Sequence, residues 1–270
     1  MRCALTIAGS DSSGGAGIQA DLKTFAAFGV YGTSVITAIT AQNTTGITAV
    51  GVLSADLVTA QIEAIAGDIT VHATKIGMLA TAAIVEAVAA AVGALDLPLV
   101  VVDPVMVSTS GARLLDDDGV QAMCAELLPR AVAITPNLPE AEVLAGVRIV
   151  SLDDAREAAR RIHGLGPRAV VITGGHRAAR PGDAGGNDVV DLLFDGKMFT
   201  ELRTPRIETP HTHGTGCTFA SAVTARLALG DAPAQAAACA QQYVAGAIRH
   251  AIAIGRGHGP IDQFWQMRRQ

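Results

Sequence analysis

Arg2-Cys3-Ala4-Leu5-Thr6-Ile7-Ala8 is followed by Gly9-Ser10-Asp11-Ser12-Ser13-Gly14-Gly15, then by Ala16 to Phe28, then by Ser34-Val35-Ile36-Thr37-Ala38-Ile39-Thr40-Ala41. The first run is a short apolar strand, and the second is a loop of small and turn-forming residues. Ile18, Leu22 and Phe25 recur at the spacing of one helical face, and the Val, Ile and Thr of the fourth run suit a second strand. Strand, glycine loop, helix and strand make a βαβ unit, which implies a parallel sheet.

The same alternation runs on along the chain. The pattern predicts a helix from Ser54 to Ala66, a strand at Ala73 to Ile76, a helix from Thr81 to Gly93 and a buried strand at Leu99 to Val102. Asp116 to Leu127 reads as a helix, Ala131 to Ile134 as a strand and Pro139 to Leu144 as a short helix. Ser151 caps a helix to His163, and Ala169 to Thr173 has the β-branched run of a central parallel strand. Asn187 to Phe194 and Lys197 to Leu202 flank Asp195-Gly196, which signals a hairpin. Gly214 to Leu229 and Ala232 to Ile254 are long Ala-rich helices. The expected fold class is α/β: one domain over residues 1–270, with a mostly parallel sheet, helices on both faces and an antiparallel edge hairpin.

Composition narrows the functions. Half of the 270 residues are hydrophobic, 17% are charged and the formal net charge is −5. Disorder needs the opposite balance, and the only local basic patch is Arg268-Arg269, so nucleic acid is not an expected partner. Ala80 to Val92 is the best apolar run, and Glu86 and Gly93 break it below membrane-spanning length. No membrane contact is expected. Cys3, Cys124, Cys217 and Cys239 form no C-x-x-C pair, so neither a disulfide framework nor zinc is suggested. Without a signal-peptide pattern, the expected setting is the cytoplasm. The 29 glycines, roughly 11%, exceed the usual ~7%. They gather in Gly14 to Gly17, in Gly174-Gly175 with Gly182 to Gly186, and in Gly214 to Gly216.

The P-loop pattern G-x-x-x-x-G-K-[ST] is absent. Gly214-Thr215-Gly216-Cys217-Thr218 stands directly before a long helix. There the backbone N–H groups and helix dipole form an anion cradle, unless the glycines serve only to start the helix. Cys217 lies in the first turn, a setting that lowers a thiol pKa. It reads as a nucleophile with His213, as a base beside a phosphate, or as a small buried thiol. Asn137 and Glu140 follow a strand, where α/β ligand sites gather. They suit Mg²⁺ through water, or a simple helix cap. Asp103 ends an aliphatic strand, an expensive place for a carboxylate unless it is paired or near metal. Asp11 reads as a turn former, and Lys75 as a residue free to snorkel.

Seven ordered blocks carry a resemblance. They are Ala4 to Phe25, Ser34 to Ala38, Lys75 to Leu79, Asp103 to Met106, Thr135 to Ala141, His213 to Thr218 and Gly257 to Pro260. Together they resemble the hydroxymethylpyrimidine/phosphomethylpyrimidine kinases of thiamine biosynthesis, within the ribokinase-like superfamily. The resemblance implies a ribokinase-like three-layer sandwich. It implies ATP with Mg²⁺ as phosphoryl donor and an aminopyrimidine as acceptor.

It also implies roles for particular residues. Gly9, Asp21, Gln42, Met78 and Val105 match the aminopyrimidine pocket, with Cys217 beside it. Asn137, Glu140, Thr173 and His213 match the nucleotide side, with Asp103 and Glu140 toward Mg²⁺ through water. Gly214 and Gly216 match the anion hole. A homodimer is the family-level expectation, with the hairpin edge as a candidate seam. Two departures stand out. Thr173 occupies the place where the family often has lysine, leaving Arg177 or Arg180 in the glycine-rich flap to supply a cation, and Ile261-Asp262-Gln263 replaces a run toward histidine. The expected chemistry is two transfers from ATP, to the alcohol and then to its monophosphate. A Cys217 base would matter more for the first, because the monophosphate already carries an anionic oxygen. A pyridoxal kinase, a cysteine hydrolase using Cys217 with His213, and a non-catalytic pyrimidine binder are the alternatives.

Overall fold

The computed structural model describes residues 1–108, 111, 113–175 and 188–269. The expected flap, with Arg177 and Arg180, lies outside the described residues. Among the described residues, nine strands form one sheet: β1 Cys3–Asp11, β2 Tyr31–Asn43, β3 Gly46–Val52, β4 Ala73–Ile76, β5 Val100–Val102, β6 Ala133–Ile134, β7 Val170–Ile172, β8 Asp188–Phe194 and β9 Phe199–Pro205. Their order is β3-β2-β1-β4-β5-β6-β7-β8-β9. The pairs from β2 to β7 are parallel, and β3, β8 and β9 are antiparallel additions at the two edges.

Eight α-helices of the described residues accompany the sheet: α1 Gly17–Ala27, α2 Ala55–Ala66, α3 Ala82–Ala94, α4 Asp117–Ala122, α5 Leu138–Ala145, α6 Leu152–His163, α7 Thr215–Ala228 and α8 Pro233–Arg249. Successive strand residues face opposite layers. Leu5, Ile7, Val100, Val102, Val170 and Ile172 meet apolar residues of α2 to α6. Ala4, Val101 and Val171 meet α1, α7 and α8 on the other face. Ala220, Ala222, Ala236, Ala237 and Ala240 are fully buried there, so alanine is what allows α7 and α8 to pack closely. The three-layer arrangement is the one the chain's alternation implies.

Several element bounds differ from the sequence reading, among them the expected Asp116–Leu127 helix, whose α-helical part ends at Ala122, and four further differences have a plain cause. β1 runs on through Gly9 to Asp11, because the far half of β2 pairs with it after a register shift between Ala8 and Ser10. β3 is an added edge strand; its two glycines and largely exposed side chains hide the usual alternation. β5 begins one residue late, since Leu99 has φ +46°. α8 stops at Arg249 rather than Ile254: beyond it the chain turns to pair, Ile252 N–H donating to the Pro260 carbonyl. None of the described helices is long and apolar enough to cross a membrane.

Candidate active site

The carboxyl ends of β1, β2, β4, β5, β6 and β7 carry the candidate residues in sheet order, as open α/β sheets place ligand sites. On one side stand Gly9, Gln42 and Met78. A Cβ at Gly9 would lie 3.0 Å from Met78 Sδ, so the two positions are in close approach. Gln42 sits where the β2–β3 register shifts, between Ala41 and Gln42. Such irregularities re-aim a side chain. Ser12 Oγ clasps its backbone, accepting from Gln42 N–H at 2.8 Å and donating to the Gln42 carbonyl at 2.7 Å.

Asp11 does more than form a turn. It accepts from Ser13 N–H and Oγ, from Gly15 N–H and from Ala16 N–H, and His213 Nε2 lies 2.8 Å from its Oδ2. Burial opposes its charge, yet His213, Ser13 and Ala16 outweigh that and pull it down to about 2. The partners of His213 are therefore Asp11 and Gln42, and not the Asn137–Glu140 pair with which the resemblance groups it.

At the centre is a buried charge cluster. Lys75 does not snorkel: it is fully buried, with Nζ 3.1 Å from Asp21 Oδ2 and 3.5 Å from Asp103 Oδ2. Burial alone would lower its pKa, but Asp21, Cys217 and Asp103 hold it above the ordinary value. Asp21 is itself enclosed, its two oxygens taken by Thr6, Ser221 and Lys75. Asp103 Oδ2 is buried without a hydrogen-bond partner among the described residues, and burial, with Asp21 nearby, pushes the carboxyl upward against the pull of Lys75.

Cys217 faces this cluster from the start of α7, near Asp103 and the Gly17 N–H. Its pKa moves opposite to the expectation from a helix start. Burial pushes it up to about 12; Lys75 pulls the other way, and Asp103 and Asp21 add to the rise. Gly214 makes the turn before it at φ +84°, and a Cβ there would lie 1.8 Å from the Gly15 carbonyl oxygen. The loop at Gly15 and the start of α7 thus touch through a position that only glycine fits. Gly216 is exposed, with open space around it. Thr215 N–H bonds the Thr212 carbonyl and Thr218 N–H the Gly214 carbonyl, which leaves the N–H groups of Gly216 and Cys217 available to an anion.

Asn137 and Glu140 form a reciprocal cap on α5: Asn137 Oδ1 accepts Glu140 N–H and Glu140 Oε2 accepts Asn137 N–H, each at 2.9 Å. The cap reading is correct, and it leaves more to explain. Burial, then the charge of Asp103, pushes Glu140 up to about 8, although N–H groups of Asn137 and Met106 bond it. Two buried carboxyls, the charge of one raising the pKa of the other, with Asp103 Oδ2 3.5 Å from Lys75 Nζ, fit a divalent cation. Two protein carboxylates suit Mg²⁺, which keeps its waters and takes other oxygens from phosphate. Val105 lies in the same loop, its N–H on the Asp103 carbonyl, and Thr173 bridges beside Asn137 as its N–H bonds the Pro136 carbonyl.

Lys75 and the Asp11–His213 pair are what the residue-by-residue reading missed. So is Asp191, a buried carboxyl on β8 that accepts Gly174 N–H and Gln241 Nε2 and is pushed up to about 6 by burial.

Comparison with known proteins identifies the family. The chain is 49% identical to the hydroxymethylpyrimidine/phosphomethylpyrimidine kinase of Bacillus subtilis, over 97% of this chain and 94% of that protein. A Bacillus subtilis pyridoxal kinase solved as an ADP complex superposes with a TM-score of 0.89 at 41% identity, covering 99% of both chains. A Clostridium difficile phosphomethylpyrimidine kinase gives 0.79 at 42%, covering 92% of this chain and 100% of that one. Residues 11–262 match the family described as Phosphomethylpyrimidine kinase, and the chain belongs to it.

Proposed function

We propose that this protein phosphorylates 4-amino-5-hydroxymethyl-2-methylpyrimidine from ATP and then phosphorylates the monophosphate to the diphosphate, within thiamine diphosphate biosynthesis. Residues 1–270 act in this reading as one kinase domain. The observation that carries it is the order of groups along the sheet: Gly9, Gln42 and Met78 for a ring, Asp103 and Cys217 at the centre, Asn137, Glu140 and Thr173 beyond. The acceptor hydroxyl and the donor phosphate then meet over the Gly214–Cys217 turn.

Phosphoryl transfer is mostly positioning and charge stabilisation. Met78 and Val105 supply apolar walls, and Gln42 can both donate to and accept from an aminopyrimidine edge. The N–H groups of Gly216 and Cys217 face the charge that develops on the transferring group. Asp103 and Glu140 are the residues that would hold Mg²⁺, which when bound neutralises phosphate oxygens. With its proton directed to Asp103, the Cys217 thiol is not the base for the alcohol, and the anion hole is made by the backbone N–H groups. Cys217→Ala should then slow both transfers by similar factors. Selective loss of alcohol phosphorylation, with the monophosphate still turned over, would restore the base role.

A second reading is favoured by one observation. The close superposition on a pyridoxal kinase makes pyridoxal, another ring bearing a hydroxymethyl group, a candidate second acceptor in the same pocket. A two-subunit assembly through a sheet edge belongs to the proposal as well, and sedimentation would test it.

A further inference from the structure

A planar side-chain amide has two orientations that differ only by exchanging oxygen and nitrogen. At Gln42 the two terminal atoms have different surroundings. As placed, Oε1 lies 3.1 Å from Thr40 Oγ1 and Nε2 lies 3.5 Å from His213 Nε2; exchanging the two gives the other orientation. Which atom belongs where follows from counting protons.

Thr40 is buried, and its hydroxyl has one proton. That proton goes to the Ser10 carbonyl, 2.8 Å away, an oxygen that can only accept. Thr40 Oγ1 is left with lone pairs, so the Gln42 atom beside it must be the donor. At the other end, Asp11 is ionised: burial opposes its charge, but its several donors hold it at about 2. A carboxylate 2.8 Å from His213 Nε2 requires a proton on that nitrogen. The Gln42 atom facing His213 must therefore be the acceptor, since two donors would otherwise oppose each other. Both ends select the same orientation independently. Neither argument depends on whether Nδ1 of His213 carries a proton.

We propose that Asp11, through His213, and Thr40 together hold the Gln42 amide with its NH₂ on Thr40 Oγ1 and its carbonyl toward His213 Nε2–H, so that the remaining N–H and carbonyl lone pair meet the substrate ring in one fixed donor–acceptor order. Asp11, His213 and Thr40 are positioning residues. The order suits a ring edge that sets an amino N–H beside a ring nitrogen. A ring edge with the reverse order would place acceptor against acceptor and donor against donor, which is how a fixed amide rejects a wrong ligand. That the ring is Gln42's ligand rests on the proposed function; the orientation itself does not.

The test has two arms, both on the full chain. In the first, nuclear Overhauser contacts of the ¹⁵N-labelled Gln42 side-chain NH₂ are measured without substrate. Strong contacts to the Thr40 methyl group are expected. Contacts to the His213 ring that exceed those to Thr40 would overturn the orientation, whatever the enzyme's substrate. In the second arm, Thr40→Val keeps the β-branched shape and removes the acceptor. KM for the aminopyrimidine alcohol should rise about fivefold, the equivalent of one hydrogen bond, with kcat within twofold. An unchanged KM would refute the positioning role. A wild type that shows the expected amide contacts yet turns over no aminopyrimidine would instead refute the proposed function.

Discussion

Replacing Glu140 by glutamine should make the protein more stable, by an amount that depends on pH. Glu140 is 7% exposed, and burial with the Asp103 charge raises its pKa from 4.5 to about 8. The folded state therefore holds this proton more tightly than the unfolded chain does. Below about pH 4.5 the group costs nothing. As pH climbs from 4.5 toward 8, the unfolded chain loses the proton first, and the folded state is progressively destabilised. At about 1.4 kcal/mol per unit, the full shift costs on the order of 5 kcal/mol above pH 8 and about 3 kcal/mol at pH 7. In the Glu140→Gln variant the new amide oxygen can still accept the Asn137 N–H that Glu140 Oε2 accepts at 2.9 Å, so the cap survives. Urea denaturation at pH 5, 7 and 8.5 measures the difference. The two proteins should nearly coincide at pH 5 and diverge above it, with equal m values and the variant more stable. Kinase activity should fall, because an amide cannot give up a proton to meet the metal–nucleotide side, a trade of stability for function. Parallel unfolding curves at all three pH values would refute the reasoning.

Three other outcomes follow from the same geometry. Lys75→Met should destabilise by about 3–5 kcal/mol in urea melts at pH 7, because it strands Asp21 and Asp103 without their buried cation. A loss under about 1 kcal/mol would show that the cluster is not coupled. Gly214→Ala should cost about 1–2 kcal/mol for its positive φ, and more for the clash with Gly15, which must move the start of α7. A displacement of about 1 Å there should lower kcat/KM about 100-fold, read in a steady-state assay alongside circular dichroism to confirm folding. Cys217→Ala should slow the two transfers alike.

What the sequence shows and what it hides divide along physical lines. The sheet was legible because Val100-Val101-Val102 and Val170-Val171-Ile172 leave little option but strands buried on both faces. Helix starts were legible because Ser54, Thr81 and Ser151 cap through their own side chains. β3 was not, since its glycines and exposed face remove the alternation on which the reading depends. The ordered motifs lie along one end of the sheet, yet burial moves the Cys217 thiol opposite to the direction that a helix start implies. A helix start is visible locally, whereas the burial and the opposing charges that decide the thiol come from α1, β4 and the loop after β5. Distance in sequence hid the rest. Asp11 and His213 are 202 positions apart, and nothing around either residue announces the pair. Lys75 sits in an apolar strand, where only the fold reveals two carboxylates waiting for it.

The central claim is tested most directly by measuring ATP consumption with the aminopyrimidine alcohol, its monophosphate and pyridoxal side by side, with product masses recorded. The account requires turnover of both pyrimidines, with mono- and diphosphate formed in succession. Turnover of pyridoxal alone would contradict it.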